Sequence, residues 1–111
     1  MYITKTTFTV SAAHHLDLDY ESPCSNLHGH NWKITVTCKS ISLDRNGMVL
    51  DFKKIKTLIH DRLDHTVIND QIGMNPTAEN MARWVCDVIG PVCRRVEVQE
   101  TEGNVAIYER D

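Results

Sequence analysis

His28-Gly29-His30-Asn31-Trp32-Lys33-Ile34-Thr35-Val36-Thr37-Cys38-Lys39 is the stretch that decides how this chain folds. Trp32, Ile34, Val36 and Cys38 fall on alternate positions, with Asn31, Lys33, Thr35 and Thr37 between them. A period of two marks a strand that buries one face and wets the other. His28 and His30 continue the apolar phase, so two imidazoles project from the buried side.

Upstream, Tyr2 to His14 alternates in the same way, with Phe8, Val10 and Ala12 on one side and Thr7, Thr9 and Ser11 on the other. Residues 17–26 hold Pro23, serines and acidic residues without periodicity and read as a loop. Downstream, Asn46-Gly47 signals a turn, and Met48-Val49-Leu50 after it predicts a hairpin with a short extra strand piece. Asp51 is placed to cap a helix over Phe52 to Leu63, where Phe52, Ile55, Leu58, Ile59 and Leu63 recur at helical spacings. Residues 64–76 read as a turn-rich loop. Thr77 precedes a second helix carrying Ala78, Met81, Ala82, Trp84, Val85, Val88 and Ile89, which Gly90-Pro91 ends. The tail alternates through Val96, Val98 and Glu100, turns at Glu102-Gly103-Asn104, and closes with a strand through Val105 to Tyr108. This order predicts an α+β fold in one domain over residues 1–111: an antiparallel four-stranded sheet with two helices packed on one face.

The chain has 111 residues and a formal charge of −3, with acids and bases mixed along its length. No broad cationic surface exists to neutralise a phosphate backbone, so nucleic acid is excluded as an expected partner. The N-terminus lacks a signal-peptide or membrane-span run, which leads to the expectation of a cytoplasmic protein with no membrane partner. The four cysteines contain no C-x-x-C pair, so reduced thiols are expected. Cys38, Cys86 and Cys93 read as small buried hydrophobes.

His28 and His30, two apart in an extended strand, can converge on one ion, and the pair His14-His15 is the source of a third ligand. Strand parity separates that pair: His14 shares the face of Phe8, Val10 and Ala12, whereas His15 shares that of Thr9 and Ser11. His14, His28 and His30 therefore form the candidate metal set. Three neutral imidazoles with an open fourth position are the usual catalytic zinc arrangement. Glu100, in phase with Val96 and Val98, brings a carboxylate to the apolar face, which is costly without a partner and hints at function. His60 belongs to no pattern and reads as part of a solvated helix face.

The segments FTVSAAHHL (8–16), CSNLHGHNW (24–32), LDHTVIND (63–70), NPTAEN (75–80) and VQET (98–101) together resemble the 6-pyruvoyltetrahydropterin synthase family, and more closely its bacterial 6-carboxytetrahydropterin synthase branch. Three residues separate Cys24 from His28, as in that branch; the gap is longer in the animal 6-pyruvoyl enzymes. His15 stands where arginine is common and Ile68 where leucine is usual.

The resemblance implies the tunnelling fold and Zn2+ on His14, His28 and His30. It implies conversion of 7,8-dihydroneopterin triphosphate to 6-carboxy-5,6,7,8-tetrahydropterin, with release of acetaldehyde and triphosphate, on the route to queuosine. It assigns Cys24 as the base, active as the thiolate that a nearby cation favours, and Asp64 and His65 as a proton relay. Glu100 becomes the anchor of the pterin and a participant in proton transfer. Glu79 is a weaker substrate-site candidate, since a first-turn glutamate is also explained by the helix dipole. The resemblance implies trimers joining their sheets into a barrel, two stacked as a homohexamer, with sites between subunits. Three alternatives stand beside this reading: a 6-pyruvoyl product, a domain that binds pterins without turning them over, and a closed structural zinc site in which Cys24 is the fourth ligand.

Overall fold

A computed structural model describes residues 1–111. Strands β1 (Tyr2–His14), β2 (His28–Ser40), β3 (Cys93–Thr101) and β4 (Asn104–Glu109) form one sheet in the order β1-β2-β3-β4, every neighbour antiparallel. Two helices interrupt the chain between β2 and β3. The β1–β2 register is unbroken from Tyr2↔Ser40 to His14↔His28. That pairing puts Ala12 beside His30 and His14 beside His28, so the metal candidates meet at one end of the sheet.

The core lies between the helices and the even-numbered face of β1, β2 and β3. Val10, Trp32, Ile34, Val36, Val96 and Val98 from the sheet meet Ile55, Ile59 and Leu63 from the first helix and Met81, Ala82 and Val85 from the second. Each valine, leucine, isoleucine or methionine among them, removed from water, contributes roughly 1.5–3 kcal/mol, which is why the period of two was so strong a guide. Cys38, Cys86 and Cys93 are free and buried in the same core. Burial pushes the Cys86 thiol up to about 12, helped by its hydrogen bond with Cys93.

The first helix departs from regular geometry. It is α-helical at Phe52–Ile55, π-helical at Lys56–His60 and α-helical again at Asp61–Leu63. Its buried residues Ile55, Ile59 and Leu63 are strictly four apart. In a regular α-helix each four-residue step drifts by about 40°, and the wider π turn takes up that drift so that all three stay inward. Asp51 caps the helix, accepting from the Lys53 N–H at 2.9 Å.

The expected hairpin at Asn46-Gly47 does not form. Asp44 Oδ1 accepts from the N–H groups of Asn46 and Met48 at 2.8 and 3.0 Å, closing a compact turn, and Val49 and Leu50 pack on the core without pairing as a strand. The second helix, Ala78–Ile89, begins at its Thr77 cap and ends at Gly90, whose φ of 105° suits glycine. The segment after the first helix is more ordered than a turn-rich loop: Ile68 and Ile72 enter the core around a 3-10 turn at Ile68–Asp70. No helix is long and apolar enough to cross a membrane.

Candidate functional site

β1 ends at His14, which is fully buried. Its Nδ1 lies 2.8 Å from the Pro76 carbonyl, and His28 Nδ1 lies 2.6 Å from the Asn26 carbonyl. A carbonyl only accepts, so each Nδ1 carries the hydrogen and each Nε2 is left with a lone pair. Those two Nε2 atoms face each other at 3.1 Å. Two lone pairs at that distance repel unless a cation lies between them. A proton is a poor candidate: burial pushes the His14 imidazole below its ordinary value, opposed by the Pro76 carbonyl, with His28 also pulling it down. The buried His30 Nε2 has no hydrogen-bond partner.

One ring nitrogen from each of His14, His28 and His30 lies within 4.8 Å of the other two. Tetrahedral zinc with bonds of about 2.0–2.1 Å spaces its ligand atoms about 3.3 Å apart, so a small closure would seat an ion on three neutral imidazoles. The backbone carbonyls at the Nδ1 atoms are the outer partners that fix ligand orientation in such sites. Trp32 supports the cluster from below, its ring edge-on to His14 at 4.8 Å and to His30 at 5.1 Å, with Nε1–H donating to the Ala12 carbonyl. His15 points outward and is exposed, while its N–H and carbonyl are clamped by the Asn69 amide. Strand parity and structure thus agree on which histidine turns inward.

Glu100 reaches the cluster from β3, with Oε1 3.6 Å from His30 Nε2 and Oε2 4.0 Å from His14 Nε2. It sits where the β3–β4 register shifts between Gln99 and Thr101, a bulge of the kind that re-aims a side chain. Glu100 and Glu79 line one open cleft of about 530 Å³, along with Leu16 and the start of the second helix. The sequence-predicted substrate residues thus share one cleft, and Glu100 borders the metal candidates.

Cys24 stands in a 3-10 turn, Pro23–Ser25, capped by Ser22 and tied to the end of β1 by the Leu16 N–H donating to the Cys24 carbonyl at 2.9 Å. Its side chain is exposed and lies outside the three-histidine cluster. Asp64 and His65 occupy a different place. Asp64 Oδ1 accepts from the Ser11 N–H at 2.8 Å and the His65 N–H donates to the Ser11 carbonyl at 2.7 Å, covering the free edge of β1. His65 has a φ of 60°, the one non-glycine residue with positive φ, and its side chain is 81% exposed. Strain of this kind costs about 1–3 kcal/mol and gathers at functional sites. His65 lines a second depression with Ser11, Ala13, Asn31 and His30. Within one chain, the relay candidates and the Glu79–Glu100 cleft are thus separate features.

Residue spacing did not reveal the Asn75 clamp, in which the side-chain amide pairs with both backbone groups of Asp17 and fixes the loop that leads to Pro76. Two asparagines in NPTAEN were its only signal.

The family model described as 6-pyruvoyl tetrahydropterin synthase matches residues 2–111. The chain belongs to the 6-pyruvoyl tetrahydropterin synthase family. It is 30% identical over 115 residues to the 6-carboxy-5,6,7,8-tetrahydropterin synthase of Bacillus subtilis, covering 89% of this chain and 79% of that one. To the protein of the same name from Synechocystis it is 35% identical over 121 residues, covering 97% and 93%. Among solved structures, the 6-pyruvoyl tetrahydropterin synthase of Caenorhabditis elegans superposes with a TM-score of 0.78 at 25% identity, over 99% of this chain and 96% of that one. The four-stranded sheet with two helices is thus this family's tunnelling fold.

Proposed function

We propose that residues 1–111 form one zinc-dependent 6-carboxy-5,6,7,8-tetrahydropterin synthase domain. As a carbon-carbon lyase it converts 7,8-dihydroneopterin triphosphate and one water to 6-carboxytetrahydropterin, acetaldehyde and triphosphate, in the cytoplasm and on the route to queuosine. The observation that carries this reading is the pair of facing Nε2 atoms at 3.1 Å, with His30 Nε2 unpartnered, beside a cleft that holds two carboxylates. The names of the Bacillus and Synechocystis relatives support the product.

Zinc on His14, His28 and His30 would act as a Lewis acid, stabilising negative charge on a substrate side-chain oxygen as the neighbouring carbon loses its proton. Glu100, aimed from its bulge into the cleft, accepts hydrogen bonds from the amino-pyrimidine N–H groups, and Glu79 offers a second acceptor across it. The Cys24 thiolate takes the proton from carbon. Asp64, with Oδ2 3.7 Å from His65 Nε2, stabilises the imidazolium while His65 moves a proton.

Because His65 lines a depression separate from the Glu79–Glu100 cleft, this reading places each complete site between subunits of a homohexamer, a dimer of trimers. The exposed Val105 and Ile107 on the edge strand β4 support such an assembly. The test is incubation of the purified zinc-loaded protein with 7,8-dihydroneopterin triphosphate and mass identification of products. Carboxylated tetrahydropterin with acetaldehyde is expected. A 6-pyruvoyl product, favoured by the likeness to the C. elegans structure, would move the chain to the other branch. No turnover would leave a pterin-binding or structural zinc domain.

A further inference from the structure

His60 has no part in the chemistry above, yet it is built into the support of Asp64. It is the last residue of the π turn, and its ring stands edge-on to Phe8 of β1, with centroids 6.0 Å apart and planes at 81°. In its imidazolium form it donates from Nδ1 to Asp61 Oδ1 at 3.0 Å, which fixes the ring and turns Nε2–H towards Asp64 Oδ2 at 3.8 Å, within ion-pair range. The same oxygen lies 3.7 Å from His65 Nε2, while Asp64 Oδ1 takes the Ser11 N–H. One carboxylate is thus hydrogen-bonded by the β1 main chain and faced by two imidazoles, one from the helix and one from the residue after it. The π turn that keeps Ile59 in the core also sets His60 against β1, and helix irregularities of this type recur at functional sites.

We propose that His60 is the positioning residue of the Asp64–His65 pair. As the imidazolium, its Nε2–H attracts Asp64 Oδ2 and keeps the carboxylate in the orientation where Oδ1 meets Ser11 and Oδ2 faces His65. The inference rests on the reading that Asp64 and His65 move a proton. Without His60, Oδ2 is held by His65 alone, whose exposed side chain cannot fix the carboxylate. The carboxylate then rotates, and the imidazole loses its alignment with the substrate.

Three variants separate position from packing. His60→Gln puts an amide N–H where Nε2 stands, His60→Asn puts one where Nδ1 stands, and His60→Phe keeps a ring against Phe8 with no nitrogen. Two readouts are taken on each full-length, zinc-loaded protein: the NMR signal of the Ser11 amide proton, which reports on Asp64 Oδ1 and needs no turnover, and kcat and KM on 7,8-dihydroneopterin triphosphate. His60→Phe and His60→Asn are expected to move the Ser11 signal and to lower kcat by roughly tenfold to a hundredfold, the cost of a misplaced group, with KM within about twofold. His60→Gln restores both. Three variants that behave alike, or Asn matching Gln, would overturn the proposal and reduce His60 to packing. A Ser11 signal that follows the expected pattern in a protein without turnover would sink the reaction and leave the His60 contact standing.

Discussion

Strand β2 carries two groups of metal-capable side chains on one face. At its start, His28 and His30 join His14; ten residues further on, Cys38 joins Cys86 and Cys93 in the core. Both are triads of residue types that bind zinc, and both are sheltered, but their atoms are differently satisfied. Cys86 Sγ donates to the Cys93 carbonyl at 3.3 Å and Cys93 Sγ to the Arg95 carbonyl at 3.9 Å, so these two thiols are partnered, and Cys38 has Cys93 beside it. The histidine Nε2 atoms have only one another and the Glu100 carboxylate beside them. Burial also acts with opposite consequence at the two ends. It lowers His14 and so favours the neutral imidazole that ligates a metal, whereas it raises Cys86 to about 12 and removes the thiolate that would. Residue type alone does not make a site; the charge state imposed by burial and the absence of other partners do.

The largest break in this contrast comes from the histidines. His28→Ala should leave less than about a tenth of the zinc per chain by elemental analysis and cut turnover by roughly a thousandfold or more, since both Lewis acid and substrate orientation are lost. Cys24→Ala should keep the zinc and still lower turnover by about 10²–10⁴, the range of a lost proton-transfer group. Zinc loss in that variant would move Cys24 into the ligand set and close the site.

Acid should separate the two triads next. His14 is lowered in the folded protein from its ordinary 6.5. As pH falls below that value the unfolded chain takes up the proton first, so stability is fully present above it and is lost on further acidification. Urea unfolding of the metal-free protein at a series of pH values should show this decline, and His14→Gln should flatten it. The smallest effect belongs to the core: Cys86→Ala should cost about 1 kcal/mol for the lost volume and hydrogen bond, read from urea midpoints, with zinc and turnover unchanged.

Much of this was legible because burial imposes a period. Phe8–His14 and His28–Val36 alternate, and that alternation chose His14 over His15. The second helix announced itself by its Thr77 cap and its end at Gly90. What stayed hidden depends on contacts distant in sequence. The π turn follows from packing three residues four apart against a sheet formed elsewhere, and the hairpin expected at Asn46-Gly47 gave way to a side-chain-capped turn once Val49 and Leu50 found the core. Ile68 and Ile72 lie in a segment too irregular for any period to mark them as core. His60 looked like a solvated face because its partners, Phe8 and Asp64, come from a strand and from beyond the helix end.

The open site of three imidazoles is tested most directly by X-ray absorption at the zinc edge of the resting, metal-loaded protein. The predicted spectrum shows three imidazole nitrogens at about 2.0–2.1 Å with one further light atom and no sulfur. A sulfur scatterer at about 2.3 Å would make Cys24 a ligand and contradict an open three-histidine site.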